Sequence, residues 1–340
     1  MIFLKKLFLR NFRNLEEAEF SFSPKENWFI GPNGAGKTTA LEAIAILSTG
    51  KSHRTQNLLE AVQYGKSHFV IEAILSSHGI EEKIRIVIGP DIKEVWHNET
   101  RLPGLLSLLG LLPSVFYAPS DIALIERSPK ERRRFLNIHL AQLSNSYLQE
   151  LANYTKALAQ RNALLRAKQT STLSLWEMLL AKATTALLEK RKTLLQNIEA
   201  KLHEEYVHLQ KREEIPRITY EPSPNGEVSP LLWEKMRPRE FAVGYTLLGS
   251  HRDDFTLLLN NKPAKTYASE GQKRSFIAAV KIAEASLFTS PLFLLDDFGV
   301  HLDPTRQELL HNRIKTIGQL FLTAPTALLA SPEACLIQLA

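Results

Sequence analysis

The octapeptide Gly31-Pro-Asn-Gly-Ala-Gly36-Lys37-Thr38 constrains this chain more than any other stretch. It fits the pattern G-x-x-x-x-G-K-[ST]. It stands between a short apolar run, Trp28-Phe29-Ile30, and a segment from Lys37 to Leu47 in which Leu41, Ile44, Ala45 and Leu47 recur at helical spacing. A strand, a glycine-rich turn and a helix in that order predict an α/β fold. Glycines let successive backbone N–H groups converge on phosphate oxygens, and the helix start adds the positive end of its dipole. Gly31, Pro32, Asn33, Gly34, Ala35, Gly36, Lys37, Thr38 and Thr39 are therefore the expected cradle for ATP. In it Lys37 neutralises the β- and γ-phosphates and Thr38 offers its hydroxyl to Mg2+.

Such a loop needs a carboxylate at the end of a neighbouring strand, to hold the metal and to polarise the attacking water. Pro291-Leu-Phe-Leu-Leu-Asp296-Asp297 supplies one, because four apolar residues followed by two acids describe a buried central strand delivering carboxylates to its carboxyl end. Asp296 is read as the magnesium residue alongside Thr38, and Asp297 as the general base acting with Lys37. An acidic turn at a strand end has the same letters, and the phosphate loop upstream decides between them.

Composition sets the outer limits. A chain of 340 residues, with 44% hydrophobic and 23% charged residues, has the make-up of a folded globular protein of about two domains. Cys335 is the single cysteine, which excludes an intrachain disulfide framework and a cysteine-rich metal centre and favours a reducing, cytoplasmic setting. Lys5, Lys6 and Arg10 break the apolar start, so no signal peptide is expected, and no apolar run is long enough for a membrane span. The formal net charge of +6 suits a polyanionic partner without requiring one.

The first thirty residues read as strands at Ile2 to Leu9, Ala18 to Phe22 and Trp28 to Ile30, with more at Phe69 to Leu75, Lys83 to Ile88 and Val115 to Tyr117. From Pro129 the texture changes. Leu136, Leu140, Leu143, Tyr147, Leu151, Tyr154 and Leu158 predict one long amphipathic helix. Trp176, Leu180, Ala183, Leu187, Leu194 and Ile198 predict a second after the polar link Lys168 to Thr172, so the pair is expected to form a short antiparallel coiled-coil-like arm inserted into the head. Beyond the proline-rich Glu221 to Pro230, strands are expected at Tyr245 to Leu248, Phe255 to Leu259 and Leu292 to Leu295, and helices at Ser269 to Leu287 and Pro304 to Ile317. The expected partition is a phosphate-loop part of the head over 1–125, an arm over 126–240 and the rest of the head over 241–340.

Two further segments narrow the class. Tyr267-Ala-Ser269-Glu270-Gly271-Gln272 precedes an amphipathic helix and resembles the S-x-G-Q signature of ABC-type ATPases, while Gly299-Val-His-Leu-Asp303 follows the double acid as that superfamily's D-loop does. The resemblance implies an ABC-type head with mixed sheets. It further implies that two copies meet face to face, with Ser269, Gly271 and Gln272 of one closing on the γ-phosphate held by the other and Asp303 nearby.

Within that superfamily the chain resembles the RecF family of bacterial recombination-repair ATPases over nearly its whole length. The residues are Leu9-Arg-Asn-Phe-Arg13-Asn-Leu, Gly31 to Thr39, Gly50-Lys-Ser-His-Arg54, Tyr117-Ala-Pro-Ser-Asp121, Ser128-Pro-Lys-Glu-Arg132-Arg133-Arg-Phe-Leu, Gln160-Arg-Asn-Ala-Leu-Leu, Gly249-Ser-His-Arg252-Asp-Asp-Phe and Leu294-Leu-Asp-Asp297. Asp297 where transporters carry a glutamate, and Thr323 where they carry a histidine, point the same way. The departures are Glu270, which places a carboxylate at the signature, and Asn137, where an aspartate is usual; the stretch after Thr323 is unfamiliar.

The resemblance implies an ATP-dependent homodimer, with weak ATPase activity, on double-stranded DNA beside single-stranded gaps. It also implies RecO and RecR as partners in placing RecA, in gap repair, replication restart and SOS induction. Lys5, Lys6, Arg10, Arg13 and Arg132 to Arg134 are the candidate backbone-phosphate contacts, although pairing with acids on a solvated face suits Arg132 to Arg134 equally. His251 and Arg252 are either structural or part of the nucleotide site. The competing readings are a transporter ATPase subunit, disfavoured by Thr323 and the arm, and a chromosome-structure protein of SMC or RecN type, which needs longer coiled coils.

Overall fold

The computed structural model describes residues 2–77, 79–210, 213–300 and 302–340, and the chain divides into two compact units. The first comprises Met1–Asp121, Glu205–Lys211 and Arg274–Ala340; the second comprises Ile122–Glu204 and Arg212–Lys273.

In the first unit a six-stranded antiparallel sheet runs in the order Leu15–Ser21, Ile2–Phe12, Phe69–Ser77, Ile80–Ile88, Lys93–His97, Thr100–Leu102. Strict alternation would turn Leu4 and Leu7 to opposite faces. A register shift between Leu4 and Lys6 inserts one residue, and both leucines are buried. A second sheet of five parallel strands runs Cys335–Gln338, Glu26–Ile30, Gln319–Ala324, Leu292–Leu295, Ser114–Tyr117. Its central strands Leu292–Leu295 and Gln319–Ala324 are buried at every position, as parallel strands covered on both faces must be. The helix Lys37–Thr49 touches strands of both sheets and is buried from Thr39 to Ser48, so its apolar residues surround it instead of forming one stripe. Because the five strands are parallel, the segments after Ile30, Leu295 and Thr323 all leave from the same sheet edge, where an open α/β sheet gathers its ligand-binding loops.

The second unit holds the helices Pro129–Leu143 and Asn145–Ala167, most of Leu173–Gln210, and Pro230–Val243. They accompany an antiparallel sheet in the order Lys262–Pro263, Asp254–Leu259, Pro216–Glu221. The expected single helix from Pro129 onward is two. Ser144 is extended, with φ −150° and ψ 107°, and its hydroxyl accepts the Tyr147 amide at 3.2 Å, capping the second helix. The expected strand Tyr245 to Leu248 is irregular. Thr246 gives its amide and hydroxyl to Asn162 Oδ1, and the Leu247 amide goes to Glu240, so this backbone is satisfied by side chains. Residues 241–273, expected with the head, instead group with the second unit, because Asp254–Leu259 pairs with Pro216–Glu221 and buried Asp253 bonds Arg191 at 2.5 Å.

Candidate nucleotide site

The phosphate loop is shaped by positive φ angles at Gly31 (145°), Gly34 (87°) and Gly36 (98°). At Gly31 a side chain is excluded outright, since a Cβ there would lie 2.1 Å from the Leu339 carbonyl oxygen. Lys37, buried at the helix start, donates through Nζ to the carbonyls of Gly31 and Pro32, both at 2.8 Å. Those bonds hold its ammonium across the loop it is expected to serve.

Opposite the loop the strand Leu292–Leu295 delivers its two acids. Asp296 is 7% exposed and Asp297, at φ 52°, is exposed. Asp296 Oδ1 accepts from Thr38 Oγ1 at 2.9 Å and from Thr323 Oγ1 at 2.6 Å, while Thr323 Oγ1 accepts the Asp297 amide at 2.7 Å. Burial, and then the neighbouring Asp297 charge, push the Asp296 carboxyl above the ordinary aspartate range; the hydroxyls of Thr323 and Thr38 pull the other way. A hydroxyl and a carboxylate in contact at a loop of amide donors form a hard-oxygen pair of the kind Mg2+ takes beside a phosphate. Thr38 and Asp296 thus fit the metal that the sequence assigned to them.

These groups line a cleft of about 790 Å³ whose lining belongs entirely to the first unit. Its other wall was not foreseen as part of the site. Arg13 and Asn14, on the turn between Ile2–Phe12 and Leu15–Ser21, and Arg54, beyond the loop helix, face it together with Glu60 and Val62. Asn14 braces the phosphate loop: its Nδ2 donates to the Gly34 carbonyl at 3.0 Å and its Oδ1 accepts from Thr39 Oγ1 at 2.9 Å. The signal was available, because Arg13 with Asn14 and Gly50 to Arg54 had both been singled out by resemblance.

The signature lies in the second unit. Ser269 and Gln272 form a reciprocal cap, the Gln272 amide on Ser269 Oγ at 3.3 Å and the Ser269 amide on Gln272 Oε1 at 2.7 Å, with Gly271 between them in the first turn. Glu270 is paired with Lys273 at 2.9 Å, and Lys273 also reaches Glu126 at 3.1 Å. Asn137 is likewise accounted for, since its Oδ1 accepts from Tyr147 at 2.6 Å and from Arg191 at 2.9 Å. Asp303 caps the helix Pro304–Ile314 by accepting the Arg306 amide at 3.0 Å; His301, in the same D-loop segment, lies outside the described residues.

Several cations offered for DNA are engaged within the fold. Lys5 pairs with Glu81 and Lys6 with Glu19. Arg132 pairs with Asp254 at 2.6 Å instead of with Glu126 or Glu131, and Arg133 donates to the Asp253 carbonyl. Among the described residues no helix is long and apolar enough to cross a membrane.

A strand-loop-helix phosphate site at the edge of a parallel sheet, with a signature segment in a separate helical unit, defines a head of the ABC and SMC class. The family described as the RecF/RecN/SMC N terminal domain matches residues 3–329. The DNA replication and repair protein RecF of Protochlamydia amoebophila is 36% identical over 335 residues, spanning 94% of this chain and 93% of that one. A solved structure of the recombination mediator protein RecF with ATP in the RecFOR pathway is 27% identical with a TM-score of 0.89, over 99% of this chain and 95% of that one. Its counterpart RecF-ATPrS gives 26% and 0.90, over 100% and 96%. The chain belongs to the RecF family of DNA replication and repair proteins. Likeness along nearly the full length replaces the transporter-subunit and RecN-type readings.

Proposed function

We propose that this chain is a slow ATPase whose bound ATP joins two copies on double-stranded DNA beside single-stranded gaps, and whose hydrolysis releases them. The observation that carries the reading is the convergence of the Thr38 and Thr323 hydroxyls on Asp296 Oδ1, in the cleft that Lys37 also lines. A cation, Lys37, the pair proposed to hold the metal and the exposed acid Asp297 all line one cleft.

Bound Mg2+ on Thr38 and Asp296 would supply charge neutralisation for the phosphates. Lys37 and the loop amides orient the phosphate chain, and Asp297, with its amide fixed by Thr323, accepts the proton of the attacking water. Ser269, Gly271, Gln272 and Asp303 of a second copy complete the site. Glu270 is matched by Lys273, which moderates the repulsion its carboxylate would otherwise offer a phosphate. RecR and RecO are the proposed protein partners and the cytoplasm the proposed location, both on the strength of the family.

Fluorescence anisotropy with a labelled gapped duplex tests this. ATP should strengthen binding at low salt for the natural chain but not for Lys37→Met, and affinity should fall steeply with salt. No binding at low salt in either nucleotide state would sink the DNA part of the reading.

A further inference from the structure

One buried carboxylate holds two guanidinium groups at the wall of the cleft. Glu42 lies one turn beyond Thr38 on the loop helix and has no exposed surface. Arg13 meets it fork to fork, Nε to Oε2 at 3.0 Å and Nη2 to Oε1 at 2.7 Å, and its Nη1 donates to the Glu60 carbonyl at 2.8 Å. Arg54 reaches the same Oε2 through Nη1 alone, at 3.3 Å. Its loop is set by Ser52, whose Oγ accepts the Arg54 amide at 2.9 Å and donates to Glu42 Oε1. The side chain of Arg13 is 18% exposed and that of Arg54 is 44% exposed, and both line the cleft with Lys37.

Burial alone would raise the Glu42 carboxyl, yet Arg13, Ser52 and Arg54 together hold it below the usual glutamate range, so it is charged. One negative charge between two arginines leaves one positive charge in surplus. The surplus falls on Arg54, the arginine held by a single long bond and the more exposed.

We propose that Glu42 is a positioning residue that locks Arg13 and holds Arg54 loosely, aiming a guanidinium at an anionic part of the bound nucleotide. The proposal rests on the nucleotide reading of the cleft and adds to it the residue that arranges the part of its wall formed by Arg13 and Arg54. It requires an effect opposite in sign to simple electrostatics. Removing an acid beside a polyanion site should tighten binding by Coulomb attraction. Removing a positioning acid should loosen it.

The test is a titration of the full chain with a fluorescent ATP analogue and Mg2+, comparing Glu42→Gln, Arg54→Ala, the double variant and Lys37→Met, with thermal unfolding on each. Glu42→Gln is expected to weaken binding by about ten-fold, and the double variant to bind no more weakly than Glu42→Gln alone, because Arg54 acts through the same hold. Tighter binding by Glu42→Gln, or losses that simply add in the double variant, overturns the proposal. Should Glu42→Gln fail to fold, Glu42→Asp replaces it, keeping the charge and shortening the reach. It too must weaken binding, and must lose that effect in the Arg54→Ala background. A natural chain that binds no nucleotide, or a Lys37→Met that binds as well as it does, refutes the nucleotide reading and this proposal with it. That failure is told apart by the Lys37 control.

Discussion

Thr323 Oγ1 donates to Asp296 Oδ1 at 2.6 Å and the same oxygen accepts the Asp297 amide at 2.7 Å, so one buried hydroxyl ties together the two acids of the strand end. Burial raises the Asp296 carboxyl, and the Thr323 bond is the foremost influence opposing that rise. Thr323→Val keeps the shape and removes both bonds. Asp296 should then ionise only at higher pH. The acid limb of the ATPase pH profile is expected to move upward, the Mg2+ concentration for half-maximal activity to rise, and turnover at neutral pH to fall about ten-fold. An unmoved acid limb would show that Asp296 ionisation does not govern activity.

Asp297 is the exposed acid of the pair, and its backbone is fixed by Thr323 while its carboxylate lines the cleft. Asp297→Asn keeps the size and removes proton acceptance. Turnover is expected to drop by about 10² to 10⁴ while ATP stays bound, leaving a dimer that persists on a sizing column with ATP. Normal hydrolysis by this variant would assign the base elsewhere.

The glycines of the loop differ in what they protect. At Gly31 a methyl group would overlap the Leu339 carbonyl, and the Leu339 amide is lashed to the Ile30 carbonyl at 2.8 Å. At Gly34 nothing lies within 4 Å of an added Cβ, and only the φ of 87° opposes a side chain. Gly31→Ala should therefore cost roughly 3 kcal/mol in urea unfolding and Gly34→Ala about 1 kcal/mol. Equal costs would contradict this.

Legibility from sequence followed how local the cause was. Gly31 to Thr38 and Asp296-Asp297 could be read because backbone geometry and charge demand those residue types in consecutive order. The helix Lys37–Thr49 and the buried strand Leu292–Leu295 followed from the same runs. Arg13, Asn14 and Arg54 were marked only by resemblance, and their place in the cleft was hidden because Glu42 and Gly34 gather them across separations that leave no periodic trace. The break at Ser144 was hidden by a leucine and tyrosine pattern that continues in phase across it. Thr246 and Leu247 looked like a strand by composition, while Asn162, far along the chain, and Glu240, on the preceding helix, satisfy their amides in an irregular path. The grouping of Asp254–Leu259 with the helical unit depended on its pairing with Pro216–Glu221, which neither segment announces alone.

His251, whose place had been open between a structural and a nucleotide role, belongs to the packing of the second unit. Its Nε2 donates to the Thr246 carbonyl at 3.1 Å, so it is the neutral Nε2–H form, and its Nδ1 accepts from Tyr154 Oη at 2.5 Å. Burial, opposed in part by the bond to the Thr246 carbonyl and reinforced by Arg252, Arg133 and Arg161, pushes its pKa down to about 4. Since the unfolded chain binds that proton near pH 6.5, protonation favours unfolding. The stabilisation is complete above that value and is lost as pH falls toward the folded pKa, by roughly 3 kcal/mol across the window. His251→Gln should cost about 1–2 kcal/mol at pH near 7.5 through its lost bonds and should flatten the acid slope, so that the two chains converge near pH 5. Urea midpoints at the two pH values measure it. Curves that stay parallel between them would show that His251 titrates normally in the folded chain.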